Sequence, residues 1–497
     1  MSVTRRIGHL IDGKWIFPDD GEMLRNVNPA TLEPVADVHA ARREDLDAAV
    51  AAANRAFRGW RDLPAPKRGE YLYRLADLLK ARKGELARLL TMEMGKVLKE
   101  AEGEVQEAID MACYMAGEGR RLTGQVVPSE LPDKWAMCVR EPVGVVGAIS
   151  AFNFPIAVPS WKIMPALILG NTVVWKPSPN TSATAAAFAR AFLDAGFPPG
   201  VLNVLAGGGP EIGQALAEHE GVHMISFTGS SETGKAVYRL AAGQLKKVSL
   251  ELGGKNAVIV LEDADPDLAA EGILWAAFGT SGQRCTAASR AIIVRDVYEP
   301  LVERLLEGVK TIRIGNGLDP DVTLGPLINR AALERVAGYV ESARRQGIPV
   351  LCGGHPVPEL KGHFFAPTIL GPVDWHSAPA QEEIFGPVLS LIVVDDPEEA
   401  IAANNAAAYG LSSAIFTRDL NRAMRAVRRL DTGIVYVNHG TTGSEVQLPF
   451  GGTKNTGNGT REAGQAALDA FSEWKTVYID YSGRLQRAQI DTEHIVG

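Results

Sequence analysis

Short apolar runs rich in β-branched residues alternate with helical segments from about residue 143 onward, and this alternation constrains the fold most strongly. The first series predicts four strands, at residues 143–150, 172–175, 201–205 and 224–227. Helix-like segments, 184–195 and 212–218, lie between them. Strands that alternate with helices predict a parallel sheet with helices on both faces. Ligands of such sheets bind beyond the carboxyl ends of the strands.

A second series begins near residue 255 and predicts a second α/β domain. Its strands are expected at residues 257–261, 291–294, 391–394, 412–416 and 434–438, with a helix at 298–312. Residues 8–40 are typical of short strands and turns. Residues 44–119 have helical periodicity, and nearly all their Arg and Glu side chains are expected on a solvated face. The segment 475–481 alternates like an exposed strand, which pairs either with another subunit or with its own sheet.

Composition narrows the class of protein. A chain of 497 residues suggests two or three domains. The net charge of −8 argues against a nucleic-acid partner. No apolar run approaches membrane-spanning length, and the first residues lack the core of a signal peptide. The four cysteines form no CxxC pair, so we expect a reducing compartment and a cytoplasmic protein.

Cys285 stands in an unusual setting, within Phe-Gly-Thr-Ser-Gly-Gln-Arg-Cys-Thr-Ala-Ala-Ser-Arg. Small residues on both sides leave the thiol uncrowded, and the charge of Arg284 is expected to favour the reactive thiolate. This pattern indicates a covalent nucleophile. A buried, inert cysteine is the alternative, and the local sequence favours neither.

Polar residues follow several of the predicted strands. Asn153 could donate its amide N–H to an oxyanion, or it could simply form a turn. Lys176 could hold a ribose or phosphate, or be a solvated strand end. Glu251 lies between two leucines, where a raised pKa would suit a general base. Alternatively, it pairs with Lys247 or Lys255.

Two further motifs are incomplete. Residues 229–236 nearly spell the phosphate loop GxxxxGK[ST], but Ala236 stands where a hydroxyl should bind magnesium, which argues against an ATPase. A pyrophosphate at that helix N-terminus remains plausible, although the glycines at 207–209 do not fit GxGxxG. Residues 219–223 spell HExxH, but Gly221 breaks the helix that this zinc motif requires. We therefore expect no metal site.

Taken together, these segments resemble the aldehyde dehydrogenase superfamily, from about Ile11 to about Tyr481. The resemblance rests on seven motifs in the family's order and spacing: Phe-Asn-Phe-Pro (152–155), Trp-Lys-Pro-Ser (175–178), Phe-Thr-Gly-Ser (227–230), Glu-Leu-Gly-Gly-Lys (251–255), Gly-Gln-Arg-Cys (282–285), Glu-Glu-Ile-Phe-Gly-Pro (382–387) and Pro-Phe-Gly-Gly (449–452).

The resemblance implies two doubly wound, Rossmann-like α/β domains and a small β element for oligomerisation. An NAD(P)-binding domain would hold residues 1–120 and 142–252, and a catalytic domain residues 253–474. Residues 121–141 and 475–497 would form the bridging element of a homodimer or homotetramer.

The implied mechanism has two stages. Cys285 attacks the aldehyde, and the Asn153 side chain with the Cys285 backbone N–H stabilises the oxyanion. Hydride transfer to the nicotinamide leaves a thioester, which water activated by Glu251 hydrolyses. A glutamate at position 251 favours hydrolysis over acyl transfer to coenzyme A. Glu462 matches a further acid of the family, in proton relay.

The family match also assigns cofactor contacts. Lys176, assigned to the catalytic set as well, would lie at the adenosine ribose, Ser230 at the pyrophosphate, and Glu383 with Phe385 at the nicotinamide ribose. The other cofactor positions are Ile149, Phe152, Gly209, Phe227, Gly229 and Gly234. Many NAD-selective members carry a glutamate where this chain has Pro179. Because no carboxylate at this position repels a 2′-phosphate, we expect that NADP is also accepted, although we favour NAD.

Substrate choice is predicted from the α-aminoadipic semialdehyde branch, which this chain resembles at Phe152 and in the loop 438–452. Glu107 with Arg284 matches its acid–arginine pair, while Gly443 and Ser444 match its anchor loop. An aldehyde bearing an amino or carboxylate group is therefore expected. A broad aldehyde scavenger is the alternative within the class, and an idle nucleotide-binding protein the alternative outside it.

Overall fold

The computed structural model describes residues 5–490, so the outermost parts of the predicted domains, residues 1–4 and 491–497, lie outside the described residues. The strands are β1 (Arg5–Ile7), β2 (His9–Ile11), β3 (Lys14–Ile16), β4 (Met23–Val27), β5 (Pro34–His39), β6 (Gln125–Pro128), β7 (Lys134–Pro142), β8 (Val145–Ile149), β9 (Thr172–Lys176), β10 (Leu202–Val204), β11 (Met224–Thr228), β12 (Lys247–Glu251), β13 (Asn256–Val260), β14 (Ala288–Val294), β15 (Val350–Cys352), β16 (Thr368–Leu370), β17 (Val388–Val394), β18 (Tyr409–Gly410), β19 (Ser412–Phe416), β20 (Ile434–Val437), β21 (Thr453–Lys454) and β22 (Ser472–Asp480).

The helices are α1 (Arg43–Asp62), α2 (Ala65–Ala81), α3 (Lys83–Met94), α4 (Leu98–Glu118), α5 (Ala157–Leu169), α6 (Ser182–Asp194), α7 (Pro210–Glu218), α8 (Ser231–Ala242), α9 (Pro266–Phe278), α10 (Tyr298–Lys310), α11 (Arg330–Arg345), α12 (Ala378–Gln381), α13 (Pro397–Asn405), α14 (Leu420–Arg429) and α15 (Ala466–Ala470). None of those between residues 5 and 490 is both long and apolar enough to span a bilayer.

The first sheet has seven strands in the order β12-β11-β8-β9-β10-β2-β3, and its first five are parallel. Each of the four predicted strands of this sheet is present. Strand register aligns the carboxyl ends: Ile149 pairs with Lys176 and with Phe227, and Thr228 pairs with Glu251. The α/β prediction is confirmed, and several of the predicted site residues share one edge of this sheet.

Strand β12 is an addition to the prediction. Its sequence, Lys-Val-Ser-Leu-Glu, alternates too briefly to stand out, yet all but the first of its residues are buried against β11. Glu251 is therefore the last residue of a buried edge strand, and Leu252 separates it from the Gly-Gly turn.

The second sheet also has seven strands, in the order β15-β16-β17-β14-β13-β19-β20. The six strands β16, β17, β14, β13, β19 and β20 run parallel, and only β15 is antiparallel to its neighbour. The second predicted α/β series is thus confirmed as a sheet. Residues 279–287 connect α9 to β14, which places Cys285 at the edge of this second sheet.

The helices α1 to α4 form the predicted layer, but its charged residues are not all on the solvated face. Arg68, Glu93, Glu104 and Glu118 are buried, and Lys96 between α3 and α4 is 1% exposed. Helical periodicity separates apolar from polar positions. It does not reveal which polar side chains reach partners on distant segments.

The third sheet, β22-β7-β6, is antiparallel. Strand β22 pairs with β7 from Ser472 opposite Pro142 to Asp480 opposite Lys134. Of the two alternatives for the tail, it therefore pairs with its own chain. The side chains of Trp474, Tyr478 and Ile479 on this strand remain half exposed or more. The domain boundaries themselves stay a prediction.

Candidate active site

One cavity of about 820 Å³ collects many of the predicted site residues. Its walls include Cys285, Glu251, Glu462, Arg284, Glu107, Gly443 and Ser444. They come from both sheets and from helix α4, so the cavity lies where the two α/β units meet. The predicted nucleophile and the predicted general base face the same space.

The loop that carries Cys285 is held in a strained shape. Thr280 and Ser281 have φ angles of 51° and 56°, in the left-handed region that non-glycine residues rarely adopt. The Ser281 hydroxyl donates to the Gly325 carbonyl at 2.6 Å. Asn256 in turn donates its amide to the carbonyl of Cys285 at 2.7 Å. The nucleophile's backbone is therefore fixed from several sides.

The prediction that the charge of Arg284 favours the Cys285 thiolate is wrong in this structure. Its guanidinium turns to Glu100, with Nη2 2.9 Å from the carboxylate, and Nε donates to the Thr280 hydroxyl. Lost contact with water, together with the charges of Glu251 and Glu383, raises the pKa of the Cys285 thiol to about 12. A neighbouring cation lowers a thiol pKa only if its charge is not already neutralised by a closer acid.

Glu251 is 3% exposed, and neither carboxylate oxygen has a hydrogen-bond partner. The alternative pairing is absent, since Lys247 donates to the carbonyls of Asp469 and Ser472, and the Lys255 amine has no partner. Burial, followed by the charge of Glu462, raises the pKa of Glu251 well above its ordinary value. Gly451 leaves room for this carboxyl, because a Cβ there would lie 2.6 Å from Oε1. A carboxyl in this state can accept a proton near neutral pH.

Glu462 is paired with Lys162, and both side chains are almost fully buried. The same carboxylate oxygen lies 3.5 Å from the Ser226 hydroxyl. Backbone hydrogen bonds with Phe450 in both directions fix Glu462 beside the cavity. Its negative charge raises the pKa of Glu251, and its role in proton relay stays a prediction.

Asn153 lies in the turn between β8 and α5 and is 4% exposed. The turn follows the carboxyl end of β8, and the next residue, Phe154, lines the cavity. The structure thus places Asn153 at the sheet edge that was predicted. Its contact with a reacting oxyanion stays a prediction.

Several of the predicted cofactor residues follow the same edge. Lys176 ends β9, is 6% exposed, and reaches only its neighbour's carbonyl, at 3.5 Å. Burial lowers the pKa of this amine to about 8. Gly209 precedes the first residue of α7, and Ser230 caps α8 by accepting the N–H of Thr233 at 3.3 Å. A buried amine without an acid partner and a capped helix terminus fit a nucleotide.

Two glycines of this segment have packing roles. A Cβ at Gly229 would lie 2.6 Å from the Phe227 ring. A side chain at Gly234 would overlap Leu252, which packs against α8. Gly234 thus lets α8 approach Leu252 closely, and Gly229 makes room for the Phe227 ring, whether or not they also touch a cofactor.

The predicted nicotinamide side bridges the two sheets. Glu383 accepts the N–H of Gly254 at 3.0 Å, and burial raises its pKa. The rings of Phe152 and Phe385 meet edge to face with centroids 5.9 Å apart. Phe385 itself has a φ of 57°, so its backbone is strained. One aromatic pair therefore joins the β8 turn of the first sheet to the loop before β17 of the second.

The predicted acid–arginine pair is not formed as expected. Arg284 pairs with Glu100, while Glu107 lines the same cavity. Burial and then the charge of Glu104 raise the pKa of Glu107 to about 8. Both acids lie on α4, two turns apart, and Glu100 is the one that also receives the N–H and hydroxyl of Thr280.

The anchor-loop residues are at the cavity wall beside an unpartnered hydroxyl. Gly443 has a φ of 106°, a conformation that favours glycine. Ser444 hydrogen-bonds Tyr436, whose pKa is raised by burial. The buried hydroxyl of Thr442 has no partner. The Thr442 hydroxyl is therefore free to meet a polar substrate.

The HExxH segment forms a helix-to-strand turn. Helix α7 ends at Glu218, and the two histidine rings face different partners. His219 lies 3.2 Å from Asp47, and His223 Nδ1 accepts the N–H of Val145 at 3.0 Å. Within residues 5–490, no group of three or more His, Cys, Asp or Glu side chains is arranged to hold a metal.

Sequence reasoning missed the residues that support the site from a distance. Glu100, Glu104 and Lys96 of the helical layer, and Lys162 of α5, all make buried ion pairs at or beside the cavity. The two members of a pair are 8 residues apart for Lys96–Glu104, 184 for Glu100–Arg284 and 300 for Lys162–Glu462. A local signal existed only for Lys96 and Glu104, which lie 8 residues apart.

Comparison with known proteins gives a consistent result. The model of the aldehyde dehydrogenase family matches residues 15–477. An alpha-ketoglutaric semialdehyde dehydrogenase of Bacillus subtilis is 43% identical over 475 residues, covering 95% of this chain and 97% of the relative. The mouse alpha-aminoadipic semialdehyde dehydrogenase is 40% identical and covers 94% of this chain and 88% of its own.

Solved structures agree. The crystal structure of an NAD-dependent aldehyde dehydrogenase from Sinorhizobium meliloti superimposes with a TM-score of 0.95 at 36% identity. The alignment covers 98% of this chain and 97% of that one.

Proposed function

The chain belongs to the aldehyde dehydrogenase family and is an NAD(P)-dependent aldehyde dehydrogenase; on this premise we propose that it oxidises its aldehyde through a thioester on Cys285. The observation that carries the proposal is the shared cavity of Cys285 and Glu251. The thiol is half-buried, and the carboxyl is unpaired with a raised pKa. This is the pairing of nucleophile and base that covalent catalysis needs.

In the first stage Cys285 adds to the aldehyde carbon. Its raised pKa means that the thiol must lose a proton as it attacks. Glu251 has two free oxygens in the same cavity and takes that proton. The Asn153 side chain and the Cys285 N–H stabilise the alkoxide of the thiohemiacetal.

The cofactor site is built from Lys176, Ser230, Glu383 and the Phe152–Phe385 pair. Their fit rests on the unpaired Lys176 amine and on the Thr228 hydroxyl, which is buried without a partner at the end of β11. Bound NAD(P)+ supplies the acceptor for the aldehyde's hydride. Ile149, Phe227 and Gly209 shape the same edge, as the family match implies.

In the second stage Glu251 activates the water that hydrolyses the thioester to a carboxylic acid. Glu462 receives the proton in turn, and the Lys162 ammonium, which pairs with the Glu462 carboxylate, favours release of that proton afterwards. This relay keeps Glu251 ready for the next turnover.

The substrate is proposed to be a semialdehyde with an amino or carboxylate group, as the names of the two relatives suggest. Arg284, Glu107, Gly443 and Ser444 supply polar contacts in the cavity. Values of kcat/KM for aminoadipic semialdehyde and hexanal should differ at least tenfold, a gap of about 1.4 kcal/mol. Equal values would indicate a broad scavenger.

Function and cofactor are tested together by following reduced nicotinamide with an aldehyde panel, NAD+ and NADP+. We expect turnover that Cys285→Ala abolishes and Cys352→Ala retains. Because no acid stands at Pro179 to repel a 2′-phosphate, NADP+ should also support turnover, with NAD+ favoured. No turnover with any aldehyde would contradict the proposal.

Assembly and compartment belong to the same proposal. We propose a homodimer or homotetramer built on β6, β7 and β22, where Trp135 and Tyr478 expose apolar surface. A cytoplasmic location follows from the sequence argument. Size-exclusion chromatography with light scattering and cell fractionation check these two points.

A further inference from the structure

A buried ion pair of the helical layer, Lys96 with Glu104, contacts the turn that carries Asn153. Lys96, between α3 and α4, lies 2.6 Å from Glu104 of α4, and both side chains are fully buried. Burying two charges is costly unless both are well bonded. The contacts that these two residues make show what the pair holds in place.

Glu104 binds one end of the turn. Its Oε1 accepts the backbone N–H of Ile156 at 2.7 Å and of Ala157 at 3.2 Å. Ala157 is the first residue of α5, so the carboxylate also meets the positive end of that helix. Charge-assisted bonds of this kind are among the stronger contacts in proteins.

Lys96 binds the other end. Its Nζ lies 3.6 Å from the centroid of the Phe154 ring. A cation over an aromatic face at this distance attracts the ring, and more strongly when water is excluded. Phe154 follows Asn153 directly, and Ile156 comes three residues after it. The ion pair therefore holds the backbone on the carboxyl side of Asn153 through two successive contacts.

We propose that Lys96 and Glu104 are positioning residues that fix the Asn153 turn for oxyanion stabilisation. The inference rests on the proposed function for the role of Asn153. Displacement of a catalytic group by about 1 Å can slow a reaction roughly 100-fold. The pair touches neither the predicted nucleophile nor the predicted base. Glu104 also lines the cavity, and its charge acts on Glu107, so a comparison with and without the Asn153 side chain isolates the effect that passes through the turn.

Glu93 provides a matched control. It is buried on the neighbouring helix α3 and accepts the backbone N–H groups of Ala183 at 2.8 Å and Thr184 at 2.7 Å. It thus caps α6 as Glu104 caps α5, yet it does not line the cavity. Loss of a helix cap is common to both variants, and loss of the Asn153 turn is specific to Glu104.

The test measures the first-turnover rate of reduced nicotinamide formation at saturating cofactor. Glu104→Gln and Lys96→Met should each slow it roughly tenfold or more, while Glu93→Gln should stay within about twofold of wild type. In an Asn153→Ala background, Glu104→Gln should have little further effect, because the group it positions is gone. Wild-type rates, or equal losses in both backgrounds, would overturn the proposal.

Hydrogen exchange tests the positioning without relying on activity. In Glu104→Gln and Lys96→Met, the peptide covering residues 150–157 should exchange faster than in wild type, whereas Glu93→Gln should affect the peptide around residue 183. Unchanged exchange at 150–157 would refute the inference even in an active enzyme. Inactivity of the wild type with faster exchange in the variants would instead count against the proposed function alone.

Discussion

The two sheets differ in how many of their buried polar groups at the cavity have hydrogen-bond partners. Around the second sheet the groups that hold the Cys285 loop are bonded: Arg290 donates to the carbonyls of Lys255, Ala403 and Asn404, and Asn256 bonds the backbone of Cys285 and Ala287. The Lys255 amine and the Thr442 hydroxyl are exceptions, since neither has a partner. At the edge of the first sheet Glu251 and Thr228 have no partners, and Lys176 has only a distant carbonyl. One sheet holds the nucleophile rigid, while the other keeps groups available for ligands.

Burial of unpaired polar groups costs free energy, and this cost is commonest where function requires it. Hydrogen bonding therefore distinguishes the buried residues that support the structure from those that act on ligands. This distinction predicts that variants at the bonded groups lose stability first, whereas variants at the unpaired groups lose activity first.

The largest effect should come from Glu251→Gln. Because the amide cannot take a proton, steady-state turnover should fall about 10²- to 10⁴-fold. At alkaline pH, where the Cys285 thiol can ionise without a base, one equivalent of reduced nicotinamide per subunit should still form. Thermal unfolding should show no loss of stability, since no hydrogen bond is broken. Full steady-state turnover in this variant would show that Glu251 is not the general base, although it is buried and unpaired.

Two buried lysines provide the next comparison. Lys162→Met leaves the Glu462 carboxylate buried and unpaired, so the free energy of unfolding should fall by about 3–5 kcal/mol. Lys176→Met removes an amine without an acid partner and should change stability by less than about 1 kcal/mol. It should instead weaken cofactor binding roughly tenfold, the value of about one hydrogen bond. Denaturant unfolding and a cofactor titration separate the two outcomes.

Alkylation of Cys285 should show the smallest change. With the thiol pKa at about 12, thiolate is scarce at neutral pH, so the rate with iodoacetamide should rise about tenfold per pH unit between pH 7 and 9. Glu251→Gln removes a charge that raises this pKa, and the rate at pH 9 should increase a few-fold. A rate that levels off below pH 8 in the cofactor-free protein would contradict the geometry of Arg284 and Glu100.

Much of the fold follows from local sequence. Strands such as Ser412–Phe416 begin and end at the predicted residues, because apolar β-branched runs between turns have few other solutions. The motif order also identified the cavity residues Cys285 and Glu251 before any geometry was known.

What the sequence could not predict depends on long-range contacts. Arg284 was expected to act on Cys285 and to pair with Glu107, but its partner is Glu100, 184 residues away. The burial of Glu104 was hidden for the same reason, since an acid on a helix is usually solvated. Local charge patterns say which residues carry charge, and only tertiary packing decides which charges meet.

The most direct test of the covalent account is mass spectrometry of protein quenched during turnover, with Glu251→Gln used so that the intermediate accumulates. The peptide that contains Cys285 should carry the acyl mass of the oxidised substrate, and the peptides with Cys113, Cys138 and Cys352 should be unmodified. An active enzyme whose Cys285 peptide stays unmodified, or an acyl group on another cysteine, would contradict the account.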